Sequence, residues 1–219
     1  MNLNGLILID KPIGMTSAQV VAVVKRLSGS PRVGHGGTLD PFATGLLPVM
    51  VGRESTREAG SLLAGDKEYL VTLRLGSETD AGDLTGRVVA RGGGPLPDLD
   101  AIAAVLPRFV GAIEQDAPAY SALKLDGKPL YWYARRGLPA TKPARTVDIR
   151  AIDLVEFLPP DANLRVACGK GAYMRTLGRD IGRALGCLAH LVALRRTAVG
   201  PYRIEDALPL WRLTDPENR

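Results

Sequence analysis

The order of strand-like and helix-like segments is the feature that most constrains the fold of this chain. Residues 5–10, GLILID, form an apolar run typical of a buried strand, and residues 68–75 alternate between apolar and polar types as a half-buried strand does. Helical patterns occur between such strands, but strands and helices do not alternate regularly, as a parallel sheet would require. The sequence therefore predicts an α+β fold.

The first helix has clear signals at both ends. Thr16 and Gln19 have the spacing of a capping box, and Gly29 follows the last turn as a stop signal. The apolar stripe between them consists of Val20, Val23, Val24 and Leu27. Weaker patterns predict helices at 54–64, 99–110 and 173–185, and strands at 47–51, 87–91, 146–157, 164–168 and 190–198. In a chain of 219 residues, these elements suit one large domain or one domain with a lobe.

Composition limits the compartment in which the chain is expected. The sequence has no run of about 18 uncharged apolar residues, so no segment is predicted to span a membrane. The amino terminus has no basic segment before its apolar run, as a signal peptide would have. Cys168 and Cys187 read as two reduced thiols, and neither belongs to a CxxC pair. We therefore expect a cytoplasmic protein.

Positive charge is concentrated in one segment, residues 117–145, which we call the basic arm. Its net charge of +5 equals that of the whole chain, and four aromatic residues lie among the charges. The basic residues are Lys124, Lys128, Arg135, Arg136, Lys142 and Arg145, and the aromatic residues are Tyr120, Tyr131, Trp132 and Tyr133. This mixture favours contact with a nucleic-acid backbone together with base stacking. An ordinary solvated loop and helix is the alternative interpretation.

A single carboxylate stands out in residues 34–49, GHGGTLDPFATGLLPV. Asp40 precedes Pro41, which is a good arrangement for a helix N-cap followed by proline at the first helical position. The glycines at 34, 36 and 37 instead favour a loop that approaches a substrate closely, with Asp40 as nucleophile or base. Both interpretations are open from local sequence.

Other catalytic, nucleotide-binding or metal-binding motifs are scarce in this sequence. It has no GxxxxGK[ST] loop and no HExxH pair, and Cys187 and His190 lack the further ligands of a zinc site. We therefore expect a reaction without cofactor or metal. Arg175, Arg179 and Arg183 recur every four residues on one helix face. That face is either solvated or, through Arg175 near the loop 169–171, directed at an anion.

Several ordered motifs resemble one family. GHGGTLDPFATGLLPVMVG is similar to the catalytic motif of the TruB family of tRNA pseudouridine synthases, and GLILIDKPIGMTS to its N-terminal signature. Further motifs resemble the family's tyrosine segment, thumb insertion, arginine motif and closing strand: DKEYLVTLRLGSETDAGD, PAYSALKLDGKPLYWYARRG, CGKGAYMRTLGRDIG and LGCLAHLVALRRTAVGPY. The resemblance runs from about residue 5 to 208. It implies the pseudouridine synthase fold, with a mixed, largely antiparallel central sheet flanked by helices and an RNA-binding thumb at about 117–145.

The resemblance assigns three catalytic positions. Asp40 matches the family's essential carboxylate, and Tyr69 matches a tyrosine that stacks on the target base and assists proton removal from C5. Arg175 matches an arginine that pairs with the catalytic carboxylate, and a nearby cation keeps a pocket carboxylate ionised. For Tyr69 the alternative is an ordinary strand aromatic.

The resemblance also assigns three substrate-binding positions. His35 matches a histidine that enters the T-loop and fills the space left by flipped bases, as a planar ring can. Tyr173 and Leu194 match residues that line the pocket. The alternatives are a hydrogen-bonded loop histidine for His35 and plain core packing for Leu194. The arm residues Lys124, Lys128, Arg135 and Arg136 are expected to bind RNA.

The reaction implied is isomerisation of uridine 55 to pseudouridine in the T-loop of tRNA. Uracil is detached from C1′, turned, and rejoined through C5, with no cofactor and no metal. Asp40 attacks C1′, attacks the base, or removes the 2′ proton of a glycal route, and the sequence leaves these three open. The expected partner is the tRNA T-arm, with no membrane and no protein partner, and the chain is expected to be a monomer.

Two departures from the family pattern bear on these expectations. Gly36 stands where family members usually have threonine, which leaves the resting geometry of the loop open. We expect a catalytic domain at 1–208 and a short tail at 209–219, without most or all of the usual C-terminal RNA-binding domain. A tRNA-folding chaperone with secondary catalysis, a related synthase acting on another RNA, and an N-glycosidase are the alternative functions.

Overall fold

The computed structural model describes residues 4–57 and 65–214. Its strands, in chain order, are β1 (Gly5–Lys11), β2 (Val33–His35), β3 (Thr44–Val51), β4 (Lys67–Leu75), β5 (Ser77–Thr79), β6 (Val88–Arg91), β7 (Gly111–Gln115), β8 (Lys124–Leu125), β9 (Lys128–Pro129), β10 (Arg145–Leu158), β11 (Asp161–Cys168), β12 (Ala189–Val199), β13 (Tyr202–Arg203) and β14 (Leu208–Pro209). Its α-helices are α1 (Ser17–Ser28), α2 (Arg53–Arg57), α3 (Leu99–Val105), α4 (Leu130–Ala134), α5 (Met174–Ala184) and α6 (Leu210–Thr214). Two 3₁₀ helices span Leu106–Phe109 and Ile204–Asp206.

Contacts divide the chain into two compact units. The first unit comprises the chain up to Leu70 and from Leu194 onward, and the second unit is Val71–Ala193. The division falls inside β4 and β12, so both strands contribute residues to each unit.

The first unit is built on β1 and β3, which are paired antiparallel along their whole overlap. β14 runs parallel to β1, the carboxyl half of β12 runs parallel to β3, and β2 pairs antiparallel with β3. Ile9, Leu47 and Val49 on these strands are fully buried against Val20 and Val24 of α1. The apolar runs in β1 and β3 thus follow from burial, since each strand contributes side chains to this core.

Helix α1 begins and ends where its sequence signals place it. The Thr16 side chain accepts from the Gln19 amide at 3.1 Å, and the Gln19 side chain accepts from the Thr16 amide at 2.8 Å. Gly29 ends the helix with a φ of 63°, a left-handed conformation that costs glycine little. The predicted capping box is confirmed. Val20, Val23 and Val24 of the predicted apolar stripe pack in the core of the first unit, whereas Leu27 is exposed.

The second unit contains the strand order β4, β11, β10, β7, with antiparallel pairing between β10 and its two neighbours. Helix α5 packs closely on this sheet through Gly178. A Cβ built at Gly178 would lie 2.4 Å from a Leu191 methyl carbon and 2.9 Å from a Leu73 methyl carbon. A larger residue would therefore displace the Leu191 and Leu73 side chains, against which the helix packs.

The predicted α+β class is confirmed, with a mixed, mostly antiparallel sheet flanked by helices. Some boundaries differ from prediction. The helix predicted at 99–110 is α-helical only to Val105 and continues as a 3₁₀ helix, which Pro107 explains because it lacks an amide donor. Of the helix predicted at 54–64, the part at 58–64 lies outside the described residues. Residues 208–214, predicted as part of the domain end and tail, form β14 and α6, and Leu210 is buried.

Both cysteines are buried free thiols. Within residues 4–57 and 65–214, every helix is too short or too polar to cross a lipid bilayer. The same part of the chain contains no group of three or more His, Cys, Asp or Glu side chains placed to hold a metal ion.

Candidate active site

Asp40 lies on a turn between two strands rather than at the start of a helix. β2 ends at His35 and β3 begins at Thr44, and the amide of Ala43 donates a 3.1 Å hydrogen bond to the Asp40 carbonyl. Asp40 and Pro41 thus begin a β-turn, and the N-cap interpretation does not hold. Asp40 itself is partly buried.

The residues on either side of Asp40 are held by the amino-terminal segment of the chain. Ser17, at the start of α1, accepts from the Leu39 amide at 2.9 Å and donates to the Leu39 carbonyl at 3.2 Å. The Pro41 carbonyl accepts from the Gly14 amide at 2.8 Å. These hydrogen bonds, one set of which comes from the buried Ser17, fix the main chain at Leu39 and Pro41, immediately before and after Asp40.

Lys11 is a fully buried lysine beneath this turn. Its Nζ donates to three carbonyl oxygens, at 2.6 Å to Met15, 2.9 Å to Pro12 and 3.4 Å to Pro41. Burial lowers the pKa of Lys11 to about 8, and the Asp40 carboxylate opposes that shift. The contact with the Pro41 carbonyl places the Lys11 ammonium beside the residue that follows Asp40.

Arg196 on β12 is the second buried cation of this region and is only 1% exposed. Its Nε donates to the Leu46 carbonyl at 2.8 Å, and its Nη2 donates to the Gly37 carbonyl at 3.1 Å. The positive charge of Arg196 also lowers the pKa of Lys11 and of His35. Arg196 therefore contacts both ends of the loop that carries Asp40.

His35 is partly buried at the end of β2, and its Nδ1 is buried without a hydrogen-bond partner in the described structure. Burial, and then the charge of Arg196, hold the pKa of His35 below its ordinary value. The ring is therefore neutral at pH 7. Its role in the T-loop stays a prediction.

The glycines before Asp40 have different structural roles. Of those at 34, 36 and 37, only Gly37 has a positive φ, at 107°, so only this position requires glycine for its backbone conformation. The Gly36 amide donates to the Pro48 carbonyl at 2.8 Å, which extends the pairing of β2 and β3. The resting geometry at Gly36 is thus set by strand pairing.

Tyr69 and Leu194 are also in the first unit, on β4 and β12. Both are buried, with 9% and 6% of their surface exposed. The first unit therefore contains four of the predicted site residues, which are Asp40, His35, Tyr69 and Leu194.

Arg175 and Tyr173 belong to the second unit, at the start of α5. The Arg175 guanidinium donates to the Ala81 carbonyl at 3.0 Å and to the Tyr120 carbonyl at 2.8 Å, and its Nε lies 3.8 Å from Asp83 Oδ2. Both side chains of this ion pair are about 95% buried, so the arginine is held in one orientation. Tyr173 is placed by its amide, which donates to Gln115 Oε1 at 2.9 Å.

The three arginines of α5 do not share one environment, although their spacing places them on one face. Arg175 is buried, whereas the Arg183 side chain is 53% exposed and pairs with Glu78. Arg179 pairs with Asp180 next to it. The interpretation that this helix face is solvated is therefore wrong for Arg175, because loops of the second unit cover the first turn of the helix.

The basic arm forms the hairpin of β8 and β9 followed by α4. Lys128 Nζ and Arg136 Cζ each lie 3.9 Å from the centroid of the Trp132 ring, and Arg135 Cζ lies 5.5 Å from that of Tyr131. Three of the arm's six cations are thus stacked on its own aromatic rings. Lys124 is exposed on β8.

Sequence reasoning gave no role to Lys11, Ser17, Asp83 or Arg196. For Arg196 a signal existed, since it alternates with the inward residues Leu194 and Ala198 and so occupies a buried register. Lys11 likewise alternates with the buried residue Ile9 in β1. Ser17 has no comparable signal, because its partner Leu39 lies 22 residues away in the chain.

Two family models match the chain. The TruB family pseudouridylate synthase (N terminal domain) matches residues 25–174, and the tRNA pseudouridylate synthase B C-terminal domain matches residues 175–217. Among curated proteins, tRNA pseudouridine synthase B of Bordetella pertussis is 52% identical over 213 residues, covering 96% of this chain and 87% of the relative. That of Burkholderia mallei is 50% identical over 208 residues, covering 95% and 68%.

Two solved structures contain chains that are similar to this one in fold and sequence. A chain in the crystal structure of a Cbf5-Nop10-Gar1 complex is 33% identical, with a TM-score of 0.75 over 96% of this chain. A chain of an H/ACA RNP bound to a substrate RNA containing 2'-deoxyuridine is also 33% identical, with a TM-score of 0.70 over 94%. This chain spans about half of each, 53% and 51%. The chain belongs to the TruB family of pseudouridylate synthases.

Proposed function

We propose that this chain isomerises uridine to pseudouridine in tRNA, with Asp40 as the reacting carboxylate. The observation that carries the proposal is the placement of Asp40 on a turn whose two neighbours are both hydrogen-bonded. Ser17 bonds to the Leu39 amide and carbonyl, and the Gly14 amide donates to the Pro41 carbonyl. A carboxylate held in one position reacts faster than a mobile one, because the entropy of orientation is already lost. The relatives named tRNA pseudouridine synthase B support the substrate class.

The reaction conserves atoms. The bond between N1 and C1′ breaks, a bond between C5 and C1′ forms, the proton on C5 leaves, and N1 gains a proton. Each of the three routes, through C1′, the base or the 2′ proton, uses one carboxylate and no external reagent. Asp40 therefore has a role in every route.

Arg175 supports this chemistry as the cation that pairs with Asp40. The hydrogen bonds to Ala81 and Tyr120 orient its guanidinium, and Asp83 compensates its charge within the second unit. Asp83 acts in this proposal as a positioning residue, because it contacts Arg175 and not the substrate. Tyr69 stacks on the target base.

Substrate recognition completes the proposal. The target is uridine 55 in the T-loop, which leaves its stack because C1′ and C5 are inaccessible within a folded loop. His35 fills the vacated space, Tyr173 and Leu194 line the pocket, and Lys124, Lys128, Arg135 and Arg136 of the arm contact the RNA backbone as a thumb. We place the protein in the cytoplasm as a monomer with the tRNA T-arm as its partner.

The test is to map pseudouridine in unmodified tRNA after incubation with the protein. Since the product has the mass of the substrate, chemical tagging precedes mass spectrometry. We expect one tagged site, in the T-loop, with the wild type and none with Asp40→Asn. The control is Asp153→Asn, which removes an exposed carboxylate from β10 and should leave the modification intact.

Other outcomes identify the alternative functions. Tagging with Asp40→Asn would contradict the role of the carboxylate. Binding and refolding of tRNA by wild type and variant alike, without any tagged site, would favour a tRNA-folding chaperone. Free uracil would indicate an N-glycosidase, and tagging only in another RNA would identify a synthase with a different substrate.

A further inference from the structure

One buried guanidinium connects the two ends of the Asp40 loop. The Gly37 carbonyl lies three residues before Asp40 and the Leu46 carbonyl six residues after it, and Arg196 donates to both. The oxygens accept from different nitrogens, Nη2 and Nε, so one rigid group sets the separation of the two loop ends. A flexible ammonium could not hold both acceptors in this way.

The main chain brings Arg196 close enough for these contacts. β12 runs parallel to β3 with Arg196 opposite Gly45, and a Cβ built at Gly45 would lie only 2.3 Å from the Arg196 carbonyl oxygen. Gly45 also has a φ of 102°, which other residues rarely adopt. The close approach at Gly45 and the inward register of β12 together direct the Arg196 side chain under the loop.

Burial of this cation is costly for folding. Removing a guanidinium from water is unfavourable, and an apolar side chain of similar volume would fill the space at a lower cost. Lys11 is a second buried cation in the same electrostatic neighbourhood, and Arg196 acts on it repulsively. Stability alone therefore does not explain an arginine at this position.

We propose that Arg196 is a positioning residue for the reaction, which holds the loop from Gly37 to Leu46 so that the Asp40 carboxylate meets the substrate in reactive geometry. The inference rests on the proposed function. It assigns no contact with the substrate to Arg196, so loss of the residue should slow the reaction at saturating tRNA without weakening the binding of tRNA.

The test compares three variants in single-turnover assays with unmodified tRNA, alongside tRNA dissociation constants and thermal unfolding. Arg196→Met removes the charge and both hydrogen bonds, and should lower the maximal rate constant ~100-fold, since a displacement of about 1 Å costs that much. Arg196→Lys keeps the charge but donates from a single nitrogen, and should recover part of the lost rate. Dissociation constants should change less than about threefold, because binding uses other contacts.

The matched control is Arg195→Met. Arg195 is the next residue of the same strand, and it pairs with Asp10 at 2.8 Å. This variant should lose some stability but keep its maximal rate within about threefold. Its ion pair with Asp10 lies outside the loop, and its contact inside the loop is a long hydrogen bond, 3.5 Å, to the Thr44 hydroxyl rather than to the main chain. An equal loss of rate in Arg195→Met and Arg196→Met would overturn the inference, since both would then reflect general damage to β12.

Further outcomes are equally decisive. A folded Arg196→Met or Arg196→Lys protein with the wild-type rate overturns the inference, as does a loss confined to the dissociation constant. If Arg196→Met does not fold, Arg196→Lys provides the test. A reduced rate with unchanged tRNA binding would support the inference, and an unreduced rate would overturn it. An inactive wild type would overturn the proposed function as well, whereas an active wild type with active variants overturns this inference alone.

Discussion

The Asp40 loop and the basic arm differ in how their functional groups are held. In the loop, main-chain groups bond to the buried side chains of Lys11, Ser17 and Arg196. In the arm, cationic side chains lie over Trp132 and Tyr131 in a segment with much exposed surface. The buried hydrogen bonds restrict the backbone of the Asp40 loop. In the basic arm, the aromatic rings orient the cationic groups, which remain exposed to water.

The difference matches two physical demands. A reacting carboxylate needs a position defined to a fraction of an ångström, which buried hydrogen bonds can provide because breaking them exposes unsatisfied polar groups. Binding a polyanion needs positive charge near phosphates, and solvated side chains can adapt to the RNA surface. Substitutions in the loop should therefore change stability and rate, and substitutions in the arm should change affinity.

The largest expected effect concerns the pH dependence contributed by Lys11. Its folded pKa of about 8 is below its ordinary value of 10.5, so between these values the unfolded state binds more protons. Stability of the wild type should therefore rise with pH across this window, relative to Lys11→Met, by up to about 1.4 kcal/mol per pH unit. Urea unfolding from pH 7.5 to 10.5 measures the difference.

The control for this prediction comes from the arm. Lys124→Met removes an exposed lysine, and its unfolding is measured over the same range. Parallel pH profiles for wild type and Lys11→Met would contradict the prediction, and so would an effect of Lys124→Met as large as that of Lys11→Met.

The next effect concerns Ser17. Ser17→Ala leaves the Leu39 amide and carbonyl without their partner in a buried site, and should lower the free energy of unfolding by about 1–3 kcal/mol. It should also slow the reaction, because Leu39 directly precedes Asp40. Ser28→Ala at the other end of the same helix serves as control, with an expected change within about 0.5 kcal/mol. Equal stability of the two variants would show that the loop is not held by Ser17.

The smallest effect is expected in the arm. Trp132→Ala removes the ring under Lys128 and Arg136, and should weaken tRNA binding by roughly fivefold, as loss of about 1 kcal/mol of cation–π interaction predicts. The rate at saturating tRNA should not change. Trp132→Phe should retain most of the affinity, and Trp211→Ala, which removes an exposed tryptophan of the first unit, is the control. A slower saturated rate in Trp132→Ala would remove the distinction between loop and arm.

Local sequence determined much of the fold. The capping box of α1 and the alternation in β4 each depend on neighbouring residues, and each is present as predicted. The apolar run at 5–10 forms the predicted strand β1, although only Ile9 of the run is fully buried. The motif around Asp40 likewise identified the family from contiguous residues, which the family models confirm. Where a property is set by residues a few positions apart, the sequence suffices to predict it.

Only the tertiary structure decided how the site is supported. Spacing placed Arg175 with Arg179 and Arg183 on one helix face, but loops of the second unit bury Arg175 alone. Likewise, strand alternation can indicate that Lys11 and Arg196 are buried, but not that they hold the Asp40 loop, because their acceptors in that loop lie 30 and about 150 to 160 residues away. Burial and hydrogen bonding between distant segments arise only when the chain is folded, so these roles follow from the structure.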